Sequence, residues 1–198
     1  MTFLEQSVSA LNSFANSLQN LLDSTYVYIQ YLFGLGGIIL AIIAYLCKNR
    51  VKLLILQVFC NLCWTMYFTM LGQFLGMAMN VFSLIRNLIF SQKDKHAWAN
   101  SKAWLFGFIV IMTTFSLLTY QNWYDFMSII GTLCMTVGYF CSNRKTLLIL
   151  SFIGCPLWVA YGIFAGSYMG IISDTLNGVS IVYALCVLNK ERKSSGEI

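Results

Sequence analysis

NRVKLLIL, Asn49–Leu56, returns ninety-four residues later as NRKTLLIL, Asn143–Leu150. A phrase written twice at a fixed offset marks a duplicated structural unit. Sliding the chain by the same offset without a gap also matches Gly37 with Gly131, Tyr45 with Tyr139, Cys47 with Cys141, Trp64 with Trp158, Tyr67 with Tyr161, Gly72 with Gly166 and Gly76 with Gly170. Coincidence does not preserve register over so long a stretch.

The solvent of this unit follows from composition. Of 198 residues 59% are apolar and only 10% charged, and the mean hydropathy is +0.73, more apolar surface than water can cover. A bilayer accepts such a chain provided that backbone hydrogen bonds close within each segment, which selects helices. The seven cysteines lie singly in apolar runs without a CxxC pair, and the one histidine, His96, sits in a polar loop, so neither a disulfide framework nor a metal site is expected. No Ser/His/Asp set, HExxH, phosphate-cradling loop or usefully spaced carboxylate pair is present, and the chain reads as a non-enzyme without a cofactor. Gly34, Gly36 and Gly37 fall inside an apolar run, where they permit close helix packing or a hinge; Pro156 offers a second hinge.

Apolar runs between polar breaks fall near 27–47, 51–71, 74–91, 103–120, 124–142, 146–165 and 168–189. Each is about 18 to 22 residues, enough at ~1.5 Å per residue to cross a hydrocarbon core of ~30 Å with some tilt. Seven membrane helices are therefore expected, with antiparallel neighbours. All 12 Lys and Arg residues flank alternate breaks or follow the last span, and the breaks at Leu71, Gln121 and Ala165 carry none. By the positive-inside rule the N-terminus lies outside and the C-terminus in the cytoplasm. Residues 1–24 lack the pattern of a cleaved signal. Phe3, Val8, Leu11, Phe14, Leu18 and Leu21 recur among polar residues as in an amphipathic helix on the outer interface, the alternative being a disordered tail.

Each copy of the duplicated unit holds three spans. An odd number would invert the second copy, and the span at 103–120 turns the chain back to make the copies parallel. The expected organisation is thus an all-α membrane protein with an interfacial segment at 1–24, a three-helix repeat at 27–91, a linker helix at 103–120, a second repeat at 124–189 and a cytoplasmic tail at 190–198. Parallel repeats of this kind bind solute between the halves near the midplane. Depth arithmetic names the residues: Trp64 lies about twelve residues (~18 Å) above the cytoplasmic start of its span, and Asn80 about seven (~10 Å) below the outer start of the next. Trp158 and Asp174 repeat the pair, again sixteen residues apart. Indole faces cover a sugar or heterocycle, while Asn and Asp supply hydrogen bonds that are costly to leave unmet in lipid. Ser83 and Asn177 continue the same faces. Asp174, the one acidic residue well inside a span, is read as neutral, proton-coupled, paired with a cationic solute, or hydrogen-bonded for packing. Arg86, nearer the cytoplasmic end, reads as a residue that snorkels to the interface.

The 3+1+3 plan, the outside N-terminus and the Trp–Asn pair resemble the SWEET sugar transporters and the wider MtN3/PQ-loop superfamily. Within it, IIGTLCMTVGYFCSNR, CPLWVAYGIFAGSYMGIISDTLNGVSIVYA and MNVFSLIRNLI are most similar to the YgjV-type bacterial inner-membrane proteins, over about residues 27 to 190. The resemblance implies a seven-helix, two-bundle protein of the bacterial inner membrane. It carries pocket roles to Trp64, Asn80 and Trp158; Asp174 stands where SWEETs have a second Asn, and the proline-glutamine motif is missing from the first and fifth spans. The expected partners are a small polar solute and the bilayer, not nucleic acid, with homo-oligomerisation left open. The expected function is transport or facilitation of that solute; the alternative is a non-transporting scaffold or assembly partner of the inner membrane.

Overall fold

A computed structural model describes residues 3–120 and 122–194. Among them seven helices and no strands are present: α1 (Phe3–Leu46), α2 (Arg50–Met70), α3 (Phe74–Ser91), α4 (Lys102–Leu118), α5 (Asp125–Phe140), α6 (Arg144–Ala165) and α7 (Tyr168–Ser194). Four segments are long and apolar enough to cross a membrane, Thr25–Leu46, Arg50–Met70, Arg144–Phe164 and Tyr168–Glu191. The other three helices are shorter, and α4 and α5, with 17 and 16 residues, fall below the expected length and span only about 25 Å. The expected boundary between an interfacial segment ending at 24 and a span starting near 27 falls inside the uninterrupted α1. The side chains that would make residues 3–18 amphipathic lie outside those described, as do residues 195–198 of the expected tail.

The repeated phrase is a helix start in both places. Asn49 has extended backbone and its side-chain oxygen accepts from the amides of Val51 and Lys52, while Asn143 does the same for Lys145. Such caps satisfy amides that no helical carbonyl can reach, worth about 1 kcal/mol each. The leucines that follow, Leu53 and Leu54 in one copy and Leu147 and Leu148 in the other, are completely buried. The same two helices stop alike: the turns after α2 and α6 place Gly72 and Gly166 at φ of 71° and 69°, a left-handed conformation that a side chain would strain.

Helices that follow one another pack together: α1 on α2 and α2 on α3, then α5 on α6 and α6 on α7. The two groups meet where α1 touches α7 and α3 touches α5, and α4 lies against α5 and α3. In lipid there is little hydrophobic drive between helices, so close approach at small residues decides the packing. Gly37 and Gly131 supply it in matching places. A Cβ at Gly37 would come within 2.8 Å of the Trp64 indole nitrogen, and one at Gly131 within 2.9 Å of the Trp158 ring. Each indole is then held edge-on by the next aromatic of its helix, Trp64 by Tyr67 at 5.3 Å and Trp158 by Tyr161 at 5.6 Å between centroids.

The two groups also touch at equivalent residues. The hydroxyls of Tyr45 and Tyr139, both fully buried, are hydrogen-bonded to each other at 2.8 Å across a sequence separation of 94.

Candidate functional site

Between the two groups lies a cavity of about 660 Å³, to which every helix contributes. At one end it reaches the turns that carry Gln73, Asn122 and Ser167; at the other it is lined by Tyr45, Tyr139 and Arg86. The first end belongs to the face without basic residues, and the second points toward the face where Lys48, Arg50, Lys93 and Arg144 gather.

All six residues named from the sequence, Trp64, Asn80, Trp158, Asp174, Ser83 and Asn177, line this one cavity. Their common level follows from helix rise. Trp64 and Trp158 stand six and seven residues before the ends of α2 and α6, and Asn80 and Asp174 six residues after the starts of α3 and α7. All four are therefore about 9 to 11 Å in from the uncharged face. Asn80 donates one N–H of its side-chain amide to the Gly76 carbonyl one turn back at 2.8 Å, which leaves the other N–H and its side-chain oxygen for the cavity. Asn177 interacts with the Asp174 carboxyl through its side chain, and its own Oδ1 has no partner; across the cavity the Nδ2 of Asn61 is likewise unmatched. A buried donor and a buried acceptor without partners, one in each half of the cavity wall, are groups that a polar solute or water would satisfy.

Three features of the site escape a reading of the sequence. Arg86 does not snorkel: its side chain is 3% exposed, its Nε donates to Asn87 Oδ1 at 3.1 Å and its Nη1 to the Thr136 hydroxyl at 2.6 Å, and the guanidinium lies 5.1 Å from the Tyr139 ring centroid. Its Cα lies 12 residues into an 18-residue helix, and in a helix side chains lean toward the N-terminus, here away from the basic face and into the cavity. Tyr45 and Tyr139 are matched by the repeat, but only packing reveals that they meet. Arg50, which reads in the sequence as a marker of topology, is buried at the basic end and ties three helices. Its Nε donates to the Cys141 carbonyl at 2.8 Å, its Nη2 to those of Tyr139 and Phe90 at 2.7 and 3.3 Å, and its Nη1 pairs with Asp94 at 3.1 Å. The acceptors lie at the ends of α5 and α3, where a cation is favoured by the helix dipole; the Phe90 carbonyl also accepts the Lys93 amide at 3.3 Å.

The rim of this end carries one more cation bound by carbonyl and ring. Lys93 donates to the Phe140 carbonyl at 2.7 Å and sits 3.8 Å from that residue's ring centroid. Burial and then the neighbouring Arg50 push its ammonium below the usual lysine range, while Asp94 opposes them. On the opposite end Asp125 accepts the backbone amide of Asn122 at 2.9 Å, closing the turn between α4 and α5.

A search of curated proteins and of solved structures returns no match. A family model does match: Imp-YgjV, described as a bacterial inner membrane protein, over residues 28–192. That range takes in the second part of α1, the whole of α2 to α6, nearly all of α7 and every residue of the cavity, in a chain with several helices apolar enough to cross a bilayer. The chain belongs to the Imp-YgjV family of bacterial inner membrane proteins.

Proposed function

We propose that the chain is a transporter or facilitator of a small polar solute, sugar-like or heterocyclic, bound between its two halves. The observation that carries this reading is the convergence of Trp64, Asn80, Trp158 and Asp174 on one cavity. Two indole faces and two hydrogen-bonding groups at one depth match a flat or ring-shaped polar molecule, and about 660 Å³ lies within the range of small-molecule sites.

The wider arrangement we infer is 3+1+3: α1–α3 and α5–α7 as parallel repeats, α4 as the linker, in the manner of SWEET transporters. The Tyr45–Tyr139 contact at the repeat offset, the twin Gly–Trp contacts and the twin left-handed glycines support it. The charge distribution supports an outside N-terminus and a cytoplasmic C-terminus. In that orientation the cavity faces outward and is stopped at the cytoplasmic end by the tyrosine pair, one of the two states that alternating access requires.

Thermal stabilisation of the purified chain by a panel of sugars and heterocycles tests the reading, because a ligand that binds only the folded protein raises its apparent stability. Trp64→Ala and Trp158→Ala are each expected to weaken the stabilising solute roughly thirtyfold, the affinity equivalent of about 2 kcal/mol of lost indole contact, while the variants still insert and fold. Undiminished binding by both variants would move the site elsewhere and favour the scaffold reading of the duplication.

A further inference from the structure

We propose that Arg86 receives an anionic group of the solute, a carboxylate or a phosphate, at the basic end of the cavity. This rests on the solute-binding reading above and narrows it to a class of ligand.

Burying a guanidinium costs several kcal/mol unless its N–H groups and its charge are met. For Arg50 four of the five N–H groups are met, by three carbonyls and the Asp94 carboxylate, which also pairs its charge. Arg86 is as deeply buried, but its partners are all neutral: the Asn87 amide, the Thr136 hydroxyl, the Met112 sulfur at 4.0 Å and the face of Tyr139. No carboxylate pairs with it; among the described residues the ion pairs are Lys48–Glu191 and Arg50–Asp94. A guanidinium has five N–H donors in a planar fork suited to carboxylate or phosphate. Its Nε and Nη1 are engaged, whereas Nη2 makes no hydrogen bond to the described protein, and the residue lines the cavity.

The duplicated scaffold does not demand this charge. The position equivalent to Arg86 in the second copy is Ser180, whose hydroxyl returns to the Leu176 carbonyl of its own helix at 2.8 Å. The cation is thus an addition to one half. The carboxylates that share the cavity lie toward its mouth: Asp174 about 9 Å of helix rise from the level of Arg86, and Asp125 in the turn it closes with Asn122. A solute that enters with its anionic group leading meets Arg86 at the floor, and its other end presents hydroxyl or ammonium donors to Asp174 and Asn80 between the indoles.

Matched probes test this without knowledge of the natural solute: a neutral hexose, the corresponding hexuronate and the hexose 6-phosphate, titrated against the full chain in detergent at constant ionic strength. The expected result is at least tenfold tighter stabilisation by the hexuronate or the phosphate ester than by the hexose, and whichever anion wins identifies the group. Arg86→Gln is expected to erase the advantage and Arg86→Lys to keep part of it. Equal stabilisation by hexose and both anions in the unaltered chain overturns the inference while leaving a solute site in place, and so does an anion advantage that survives in Arg86→Gln. If no probe shifts the unaltered chain, the inference and the solute-binding reading fall together. An anion advantage that depends on Arg86 but not on Trp64 or Trp158 upholds the inference and removes the indole pocket.

Discussion

Arg50 and Arg144 stand at the same position of the two NR phrases, each one residue after an asparagine cap, and their surroundings differ completely. The first guanidinium reaches across to α5 and α3, donates to three carbonyls and pairs with Asp94. The second is half-buried, its Nε has no partner, and it interacts electrostatically with Glu191 near the end of α7. The cavity-lining residues of α3 differ from their equivalents on α7 in the same manner: Asn80, Ser83 and Arg86 stand against Asp174, Asn177 and Ser180. What the copies share is helix starts, helix stops, glycine–indole contacts and the buried leucines. The two stretches keep one frame and part company where the chain is pinned at the basic end and along the cavity wall.

The largest test of this contrast is the arginine pair. Arg50→Ala takes the donor from the Tyr139 and Cys141 carbonyls at the end of α5 and is expected to cost about 3 kcal/mol, less than the sum of its bonds because Asp94 is half exposed. Arg144→Ala is expected to stay within about 1 kcal/mol. Denaturation of both variants in one detergent measures the gap, and equal losses would abolish the distinction between the copies.

The glycines probe what the copies share. Gly37→Ala and Gly131→Ala each force a methyl into an indole and are expected to lose about 2 kcal/mol, in line with overpacking elsewhere. Gly131 is expected to suffer slightly more, since its new methyl would also meet the Gly154 carbonyl at 3.3 Å. A large loss at one position with none at the other would show the two halves to be packed differently.

The smallest effect sits where the two groups meet at the tyrosine pair. Tyr45→Phe and Tyr139→Phe each remove the same hydrogen bond and are expected to cost about 1 kcal/mol, with the double variant costing little more than either alone. Full additivity in that double-mutant cycle would mean that the two hydroxyls do not depend on each other.

Much of the frame can be read before folding. The apolar runs and the polar breaks between them act within a turn or two of chain, so α2 to α7 all begin within two residues of the expected starts. The short α5 is different: it stops at Phe140 because Cys141 turns extended, with its carbonyl and that of Tyr139 held by Arg50 from another helix. Trp64, Asn80, Trp158 and Asp174 could be named because helix rise converts residue number into depth. Rise says nothing of rotation about the helix axis or of which neighbour is met, and so Arg86 was assigned to the interface although it faces inward.

The sequence by itself determined the solvent, the helices, their order and the register of the duplication, since these depend on composition, local hydrogen bonding and a constant offset of ninety-four residues. Tertiary structure alone decided that Tyr45 meets Tyr139, that Arg50 is consumed by carbonyls while Arg86 keeps a free edge, and that six polar and aromatic residues surround one cavity. The physical reason is that a hydrogen bond across a helix interface depends on azimuth and separation to within an ångström, and in lipid those are set by how closely glycines such as Gly37 and Gly131 let neighbouring helices approach.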